Sequence, residues 1–408
     1  MRRMKGYLLS FINYKFIKEY SLDILDTKCS KYKNIYLYLY LRSKNVGKVL
    51  YAALYWGIEL FLPVILVSQI LCLFFKSLLC LFLFGKKYNI YTSRIFVHSH
   101  RIETAIEKNI FTDSDVLLNY PYSFNEVERK GTIIKIYNIL TVRILFCTLF
   151  DAIYVNILLF VRFGYNSLFF GLSAFHWFLL FNSLNSIDPS VEVVMCNQKD
   201  RWAILLDMLN TKKKTIVQHG TNILKYLPNN KIKSYYVYDE NTELYYMNMP
   251  YKLKNISHLY AFNELEAKYI LLGEQKAHPN IEYIGYRLQL SDMECPGKSI
   301  LIIGEYTNYS DIETRLIEYF DNTNFKLFLK SHPLVAPIVY EDLLSRYNFT
   351  LLTGKIYPRV DIVFSYNSTL ALEYESFNIP VVYYDCILDD NNEINYDKIK
   401  KAISNVSI

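Results

Sequence analysis

The chain has 408 residues, of which 52% are apolar and 21% charged, with only 13 Gly and 11 Pro. That composition excludes a disordered chain, a collagen-like repeat and a small disulfide-stapled scaffold, and the length allows two or three domains with their own cores. Forty-five Lys and Arg against 39 Asp and Glu leave a net charge of +6, a mild and scattered basic bias that fits an anionic ligand or lipid surface and not a nucleic-acid partner.

The first residues, Met1 to Phe16, are basic and then briefly apolar from Tyr7 to Ile12, with no small-residue cleavage site after them, so no signal peptide is expected. Seven cysteines (Cys29, Cys72, Cys80, Cys147, Cys196, Cys295 and Cys386) make an odd number with no CxxC pair. Neither a zinc framework nor a disulfide ladder is indicated, which fits a reducing compartment.

Residues 1–89 read as a hydrophobic helical region. Within it, Leu60 to Gly85 is a run of 26 residues with one charge, Lys76, flanked by Lys44, Lys48, Lys86 and Lys87. A second run, Phe163 to Ile187, has 25 residues without Asp, Glu, Lys or Arg and holds His176 beside Trp177. Such runs suit spanning helices, helices dipping into one leaflet, or buried core helices. Peripheral attachment at the cytoplasmic face of the cell membrane is the working expectation, with apolar faces in the headgroup zone and Lys and Arg meeting anionic lipid.

From about residue 90, short β-branched runs alternate with helical stretches. Ser190 to Met195 reads as a strand, Lys199 to Leu209 as a helix with Trp202, Leu205, Leu206 and Leu209 at helical spacing, and Thr215 to Gln218 as a strand. That is the size of a βαβ unit. A Tyr-rich stretch from Asp239 to Asn263 follows, and the link between domains is placed near residues 250–260. Strands at Ile281 to Ile284, Ser299 to Gly304, Phe325 to Lys330, Val360 to Ser365 and Pro380 to Tyr384 then alternate with helices at Asp311 to Phe320, Tyr340 to Tyr347 and Thr369 to Phe377. Alternation of this kind implies parallel sheets with helices on both faces. The expected fold is therefore α/β, with two Rossmann-like domains, residues 90–255 and 256–408, facing a cleft.

Ligands of open α/β sheets bind beyond the carboxyl ends of the strands, so the polar residues there are the candidates. Gln218, His219, Gly220 and Thr221 close and follow one strand; Glu305 follows another; Lys330, Ser331 and His332 end a third; Ser365, Asn367, Ser368 and Thr369 end a fourth and enter a helix carrying Glu373. Two of the seven histidines, His219 and His332, thus fall at strand ends, one in each half. A His of near-neutral pKa can accept a hydroxyl proton, and Gly220 allows a sharp turn and close ligand approach. Lys330 and His332 suit a phosphate. Hydroxyls at a helix start beside unbonded N–H groups make an anion site, although Ser and Thr are also ordinary N-caps. Glu305 suits a cleft wall or an acceptor contact, and Glu373 could hold ribose hydroxyls. Asp389, Asp390 and Glu393 look like a solvated acidic turn, and no GxGxxG, P-loop or HExxH is present. No metal site is expected.

Three segments, VQHGT (Val217 to Thr221), KSHP (Lys330 to Pro333) and SYNSTLALEYESFNIPVV (Ser365 to Val382), resemble those of GT-B type transferases of bacterial surface-polysaccharide assembly, a group that includes sialyl- and polysialyltransferases, capsule Kdo transferases and CDP-glycerol glycerophosphotransferases. The resemblance covers roughly residues 190–385. It implies a metal-independent, cofactor-free transferase moving a sugar from a nucleotide-sugar donor to a growing surface polysaccharide or lipid-linked oligosaccharide, with His219 as base and His332 on the donor phosphate. Val217-Gln218 stands where the glycerophosphotransferase pattern has a Trp, and the acidic-acidic-Gly triplet of sialyltransferases is missing. A CDP-polyol phosphotransferase and a non-catalytic membrane-associated assembly or export partner remain the alternatives.

Overall fold

The computed structural model describes residues 64, 67–68, 70–82, 93–97, 102–119, 132–163, 168–198, 200–226, 236–248, 252–286, 288–291, 298–304, 310–332, 335, 340–389 and 393–406. Two compact units emerge: Met1–His219 with Met249–Ile284, and Gly220–Asn248 with Gly285–Ile408. The chain therefore crosses from one to the other between His219 and Gly220.

The first unit is built on a seven-stranded sheet. Its strands are β1 (Arg94–Val97), β2 (Val116–Asn119), β3 (Thr132–Lys135), β4 (Glu192–Met195), β5 (Lys214–Val217), β9 (His258–Ala261) and β10 (Asn280–Tyr283), in the order β10-β9-β5-β4-β1-β2-β3. Every pairing is parallel. The central strands are apolar on both faces, as a sheet covered by helices on both sides requires: Ile95, Val193 and Ile216 enter one buried cluster and Phe96, Val194 and Val217 another. Helices in this unit are α1 (residues 70–82), α2 (Glu103–Glu107), α3 (Val142–Phe163), α4 (Leu168–Leu184), α5 (Asp200–Met208) and α6 (Glu264–Ile270).

Two sequence expectations change here. The link placed near residues 250–260 runs instead into β9, which pairs with β5 through Thr215↔His258 and Val217↔Tyr260. Backbone pairing thus adds residues 258–283 to the first sheet, while residues 220–248 leave it for the second unit. The run from 163 to 187 was a candidate for lipid contact, yet in α4 Phe175, Phe178, Leu179, Leu180 and Phe181 are all core residues. Among the described residues, no helix is long and apolar enough to cross a membrane.

The second unit carries a five-stranded parallel sheet of order β13-β12-β11-β14-β15, from β11 (Ser299–Ile303), β12 (Lys326–Lys330), β13 (Thr350–Leu352), β14 (Ile362–Ser365) and β15 (Val381–Tyr383). Alternate residues feed opposite faces. Ile300 and Ile302 pack with Phe320, Phe364 and Tyr384 on one side, and Leu301 and Ile303 with Phe328, Val363 and Tyr374 on the other. The helices are α7 (Ser310–Asp321), α8 (Glu341–Leu344), α9 (Thr369–Ser376), α10 (Tyr384–Ile387) and α11 (Tyr396–Val406). A small antiparallel sheet of β6 (Ile223–Leu224), β8 (Leu244–Met247) and β7 (Tyr236–Asp239) completes the unit. Each unit is thus an α/β layer structure on a parallel sheet, as the alternation of runs predicts.

Candidate functional site

In the first unit, β5 delivers Gln218 and His219 to the carboxyl edge of the sheet. Gln218 is fully buried; its Oε1 accepts the Phe262 N–H at 2.7 Å, and its own N–H donates to the Tyr260 carbonyl at 2.9 Å. Those bonds lock the end of β5 to the end of β9, giving Gln218 a structural duty at the place where the motif led to a substrate contact being expected. His219 is half-buried, and its N–H donates to Gln198 Oε1 at 3.1 Å. Its Nδ1 lies 3.4 Å from Thr104 Oγ1, on α2. In the tautomer whose Nδ1–H faces Thr104, Nε2 is the basic nitrogen. Gln198 follows the end of β4 and was open to the same strand-end rule; Thr104, buried in a five-residue helix, left no sequence signal.

In the second unit, Gly220 and Thr221 rest on the start of α9. The Thr221 N–H donates to Thr369 Oγ1 at 3.0 Å, and a Cβ added to Gly220 would stand 3.4 Å from that same oxygen. Thr221 itself closes a tight local turn, its hydroxyl donating to the Ile223 carbonyl and accepting the Ile223 N–H at 3.1 and 2.9 Å. Ser368 is the N-cap of α9: Oγ accepts the Ala371 N–H at 3.1 Å and meets Ser365 Oγ at 3.3 Å. Ser365 donates in turn to the Tyr366 carbonyl at 2.8 Å and is fully buried. Capping therefore absorbs the hydroxyls of Ser365 and Ser368, both expected to bind substrate. What α9 retains for an anion is the N–H groups of Thr369 and Leu370 and the hydroxyl proton of Thr369.

Asn367 also has a structural duty. Its amide donates to the Tyr226 carbonyl at 2.9 Å and to Asp385 Oδ2 at 3.3 Å, while its Oδ1 accepts the Tyr226 N–H at 3.3 Å. An adjacent ion pair, Lys225 to Glu375 at 2.7 Å, ties the same segment to α9. Glu373 is buried on α9 and not on an open surface.

At the ends of β11 and β12 the charged candidates are also partly occupied. Lys330 is buried, donates to the Gly354 carbonyl and lies 5.0 Å from the centre of the Tyr357 ring; burial lowers its pKa. It grips the loop after β13, a role its position in the KSHP segment did not reveal. Burial likewise lowers the pKa of the half-buried His332, which favours its neutral, hydrogen-bonding form. Glu305 lies outside the described residues. One carboxylate was missed: Glu313 on α7 is buried and accepts the Tyr340 hydroxyl at 3.3 Å. Both crowd Gly304, where an added Cβ would stand 3.0 Å from the Tyr340 oxygen and 3.4 Å from Glu313 Oε2. Burial of Glu313 follows from the packing of α7 against β12, which its place in a charged helical run does not foretell. Among the described residues, no group of three or more His, Cys, Asp or Glu side chains is arranged to hold a metal ion.

No known protein family matches this sequence. No curated protein matches it either. Among solved structures, the chain is similar to the wall teichoic acid polymerase TagF soaked with CDPG, at 12% identity over 83% of this chain and 80% of that one, with a TM-score of 0.38. It is similar to CalG4, the calicheamicin glycosyltransferase, at 8% identity over 78% and 90% of the two chains, TM-score 0.40. TarM aligns at 10% identity over 79% and 92%, also at 0.40.

Proposed function

We propose that this protein is a glycosyltransferase that moves a sugar from a nucleotide-activated donor to a hydroxyl of a growing surface polysaccharide or lipid-linked oligosaccharide. The observation that carries this reading is the seat of the His-Gly-Thr segment: a histidine held by Gln198 and Thr104, followed within two residues by a backbone N–H bonded to the first hydroxyl of α9. That arrangement suits a base one short step along the chain from an anion-binding helix start. His219 accepts the acceptor hydroxyl proton through its imidazole. The N–H groups opening α9 and the Thr369 hydroxyl take the charge that develops on the departing diphosphate. His332 donates a hydrogen bond to the same leaving group, and Glu373 holds the ribose. In this reading the charge is carried by dipoles and neutral donors, with Lys330 shaping the loop beside them.

The test is turnover and donor binding by purified protein, with donors first screened by thermal shift against CMP, CDP, UDP, GDP and their sugar conjugates. His219→Ala should lower turnover by about 10²–10⁴-fold, the usual contribution of a general base, while donor affinity stays within about twofold. Loss of donor affinity with turnover preserved at saturating donor would remove His219 from the base role. A response confined to CDP-polyols would replace sugar transfer by polyol-phosphate transfer, and no nucleotide response at all would leave a non-catalytic assembly partner.

A further inference from the structure

Two neighbouring helices of the first unit turn large apolar side chains outward while burying several polar ones. Along α3 the packed side contains Thr148, Asp151 and Asn156, each less than a tenth exposed, beside the core residues Leu145, Ala152 and Val155. Asn182 of α4 reaches in to donate to Thr148 Oγ1 and Asp151 Oδ2, both at 3.2 Å. The outward side holds Val142, Phe146, Phe150, Ile153 and Ile157, with Phe150 68% exposed. Their spacing of three and four residues makes one continuous stripe. In the helix α1, Ser77 is buried beside Ile70 and Phe74 while Leu71, Phe75, Leu79 and Phe82 face out. Phe74 of α1 meets Phe146 of α3 edge to face at 5.4 Å, so the stripes lie on adjacent helices.

A water-facing helix puts its charges outside and its apolar side chains inside. A helix with large apolar side chains on its outward face as well suits hydrocarbon, where polar groups find partners only in the interior. The charges on the outward face agree. Among the residues of α1 and α3 whose exposure is described, Lys76 and Arg143 are the exposed charges and no carboxylate is exposed; Lys86 and Lys87 follow α1 in the sequence. Apolar side chains fringed by cations complement acyl chains beneath anionic headgroups.

We propose that α1 and α3 together form a monotopic docking face that sinks into one leaflet of an anionic bilayer. The helix α4, the most uniformly apolar by sequence, is the internal support of that face. This inference stands apart from the transferase reading, since vesicle binding needs no donor.

The experiment is co-sedimentation of the full chain with phosphatidylcholine vesicles, with and without about one-third phosphatidylglycerol. The wild type should sediment, more strongly with the anionic lipid. Phe150→Glu and Phe75→Glu should each weaken partitioning by about tenfold or more, as expected when a charge replaces a large apolar group at a lipid contact. Phe150→Leu should bind like the wild type, and because these positions face outward, urea unfolding of all three should match it. A wild type that stays in the supernatant, or glutamate variants that sediment unchanged, would overturn the proposal. So would a wild-type dimer in sedimentation velocity that the glutamate changes dissociate without any effect on vesicle binding, which would give the face to a second copy of the chain.

Discussion

Replacing Thr369 by valine keeps the shape of the side chain and removes one oxygen. That oxygen accepts the Thr221 N–H at 3.0 Å, and Thr221 is only 8% exposed. The donor would then face a methyl group with little access to water. Leaving a buried donor unsatisfied costs about 1–3 kcal/mol, so Thr369→Val should lower unfolding stability by about that amount, whereas Thr369→Ser, which keeps the acceptor, should cost less than half as much. The functional effect should exceed what stability explains. The Thr221 N–H anchors the Gly220–Thr221 turn on α9, where the proposed anion site lies, and a misplacement of even about 1 Å at a bound reacting group can cost about 10²-fold in rate. Urea unfolding with far-UV detection gives the first quantity, and turnover at saturating donor, measured well below the unfolding midpoint, gives the second. If valine matches wild type in both, the bond from Thr221 does not hold the turn, and the role proposed for the start of α9 is wrong.

Asp151 should make stability depend on pH in a direction opposite to that of an ordinary ion-paired carboxylate. Burial raises its pKa from 3.8 to about 6, with the Asn182 hydrogen bond opposing the rise. The folded chain then holds this proton more tightly than the unfolded chain. Its favourable share is present below about pH 4 and is lost as pH rises through about 6, a loss of about 3 kcal/mol at most. Asp151→Asn should therefore be more stable than wild type at pH 7.5 and lose that advantage near pH 4, in urea unfolding without lipid; an unchanged difference across that range would refute the assignment. For His332, burial depresses the pKa, so its neutral form contributes stability above the unfolded value near 6.5 that is lost as pH falls through the lowered folded value. His332→Gln, which still donates a hydrogen bond, should retain donor affinity better than His332→Ala, which should bind donor about tenfold more weakly at pH 7.5; equal losses in the two variants would show that a hydrogen bond is not what His332 supplies.

The alternation of β-branched runs and helical stretches was enough to predict parallel α/β layers, because apolar strands of four or five residues separated by helices have few other ways to bury both faces. It was also enough to place His219, Thr369 and His332 at strand ends, where position along the chain and position at the sheet edge coincide. Local sequence could not say which partners those ends would meet. Gln218 and Asn367 sit beside the predicted site yet spend their amides on the backbones of Phe262 and Tyr226, residues 44 and 141 positions away. The unit boundary moved for the same reason, since strand pairing at β9 is decided by a neighbour and not by the composition of a linker. Hydropathy left the runs 60–85 and 163–187 open to spanning, leaflet-dipping or core roles, because hydropathy measures how apolar a helix is and not which way it faces. Only packing assigned α4 to the core and turned the phenylalanines of α3 outward, because burial belongs to the contacts a helix makes and not to its own residues alone.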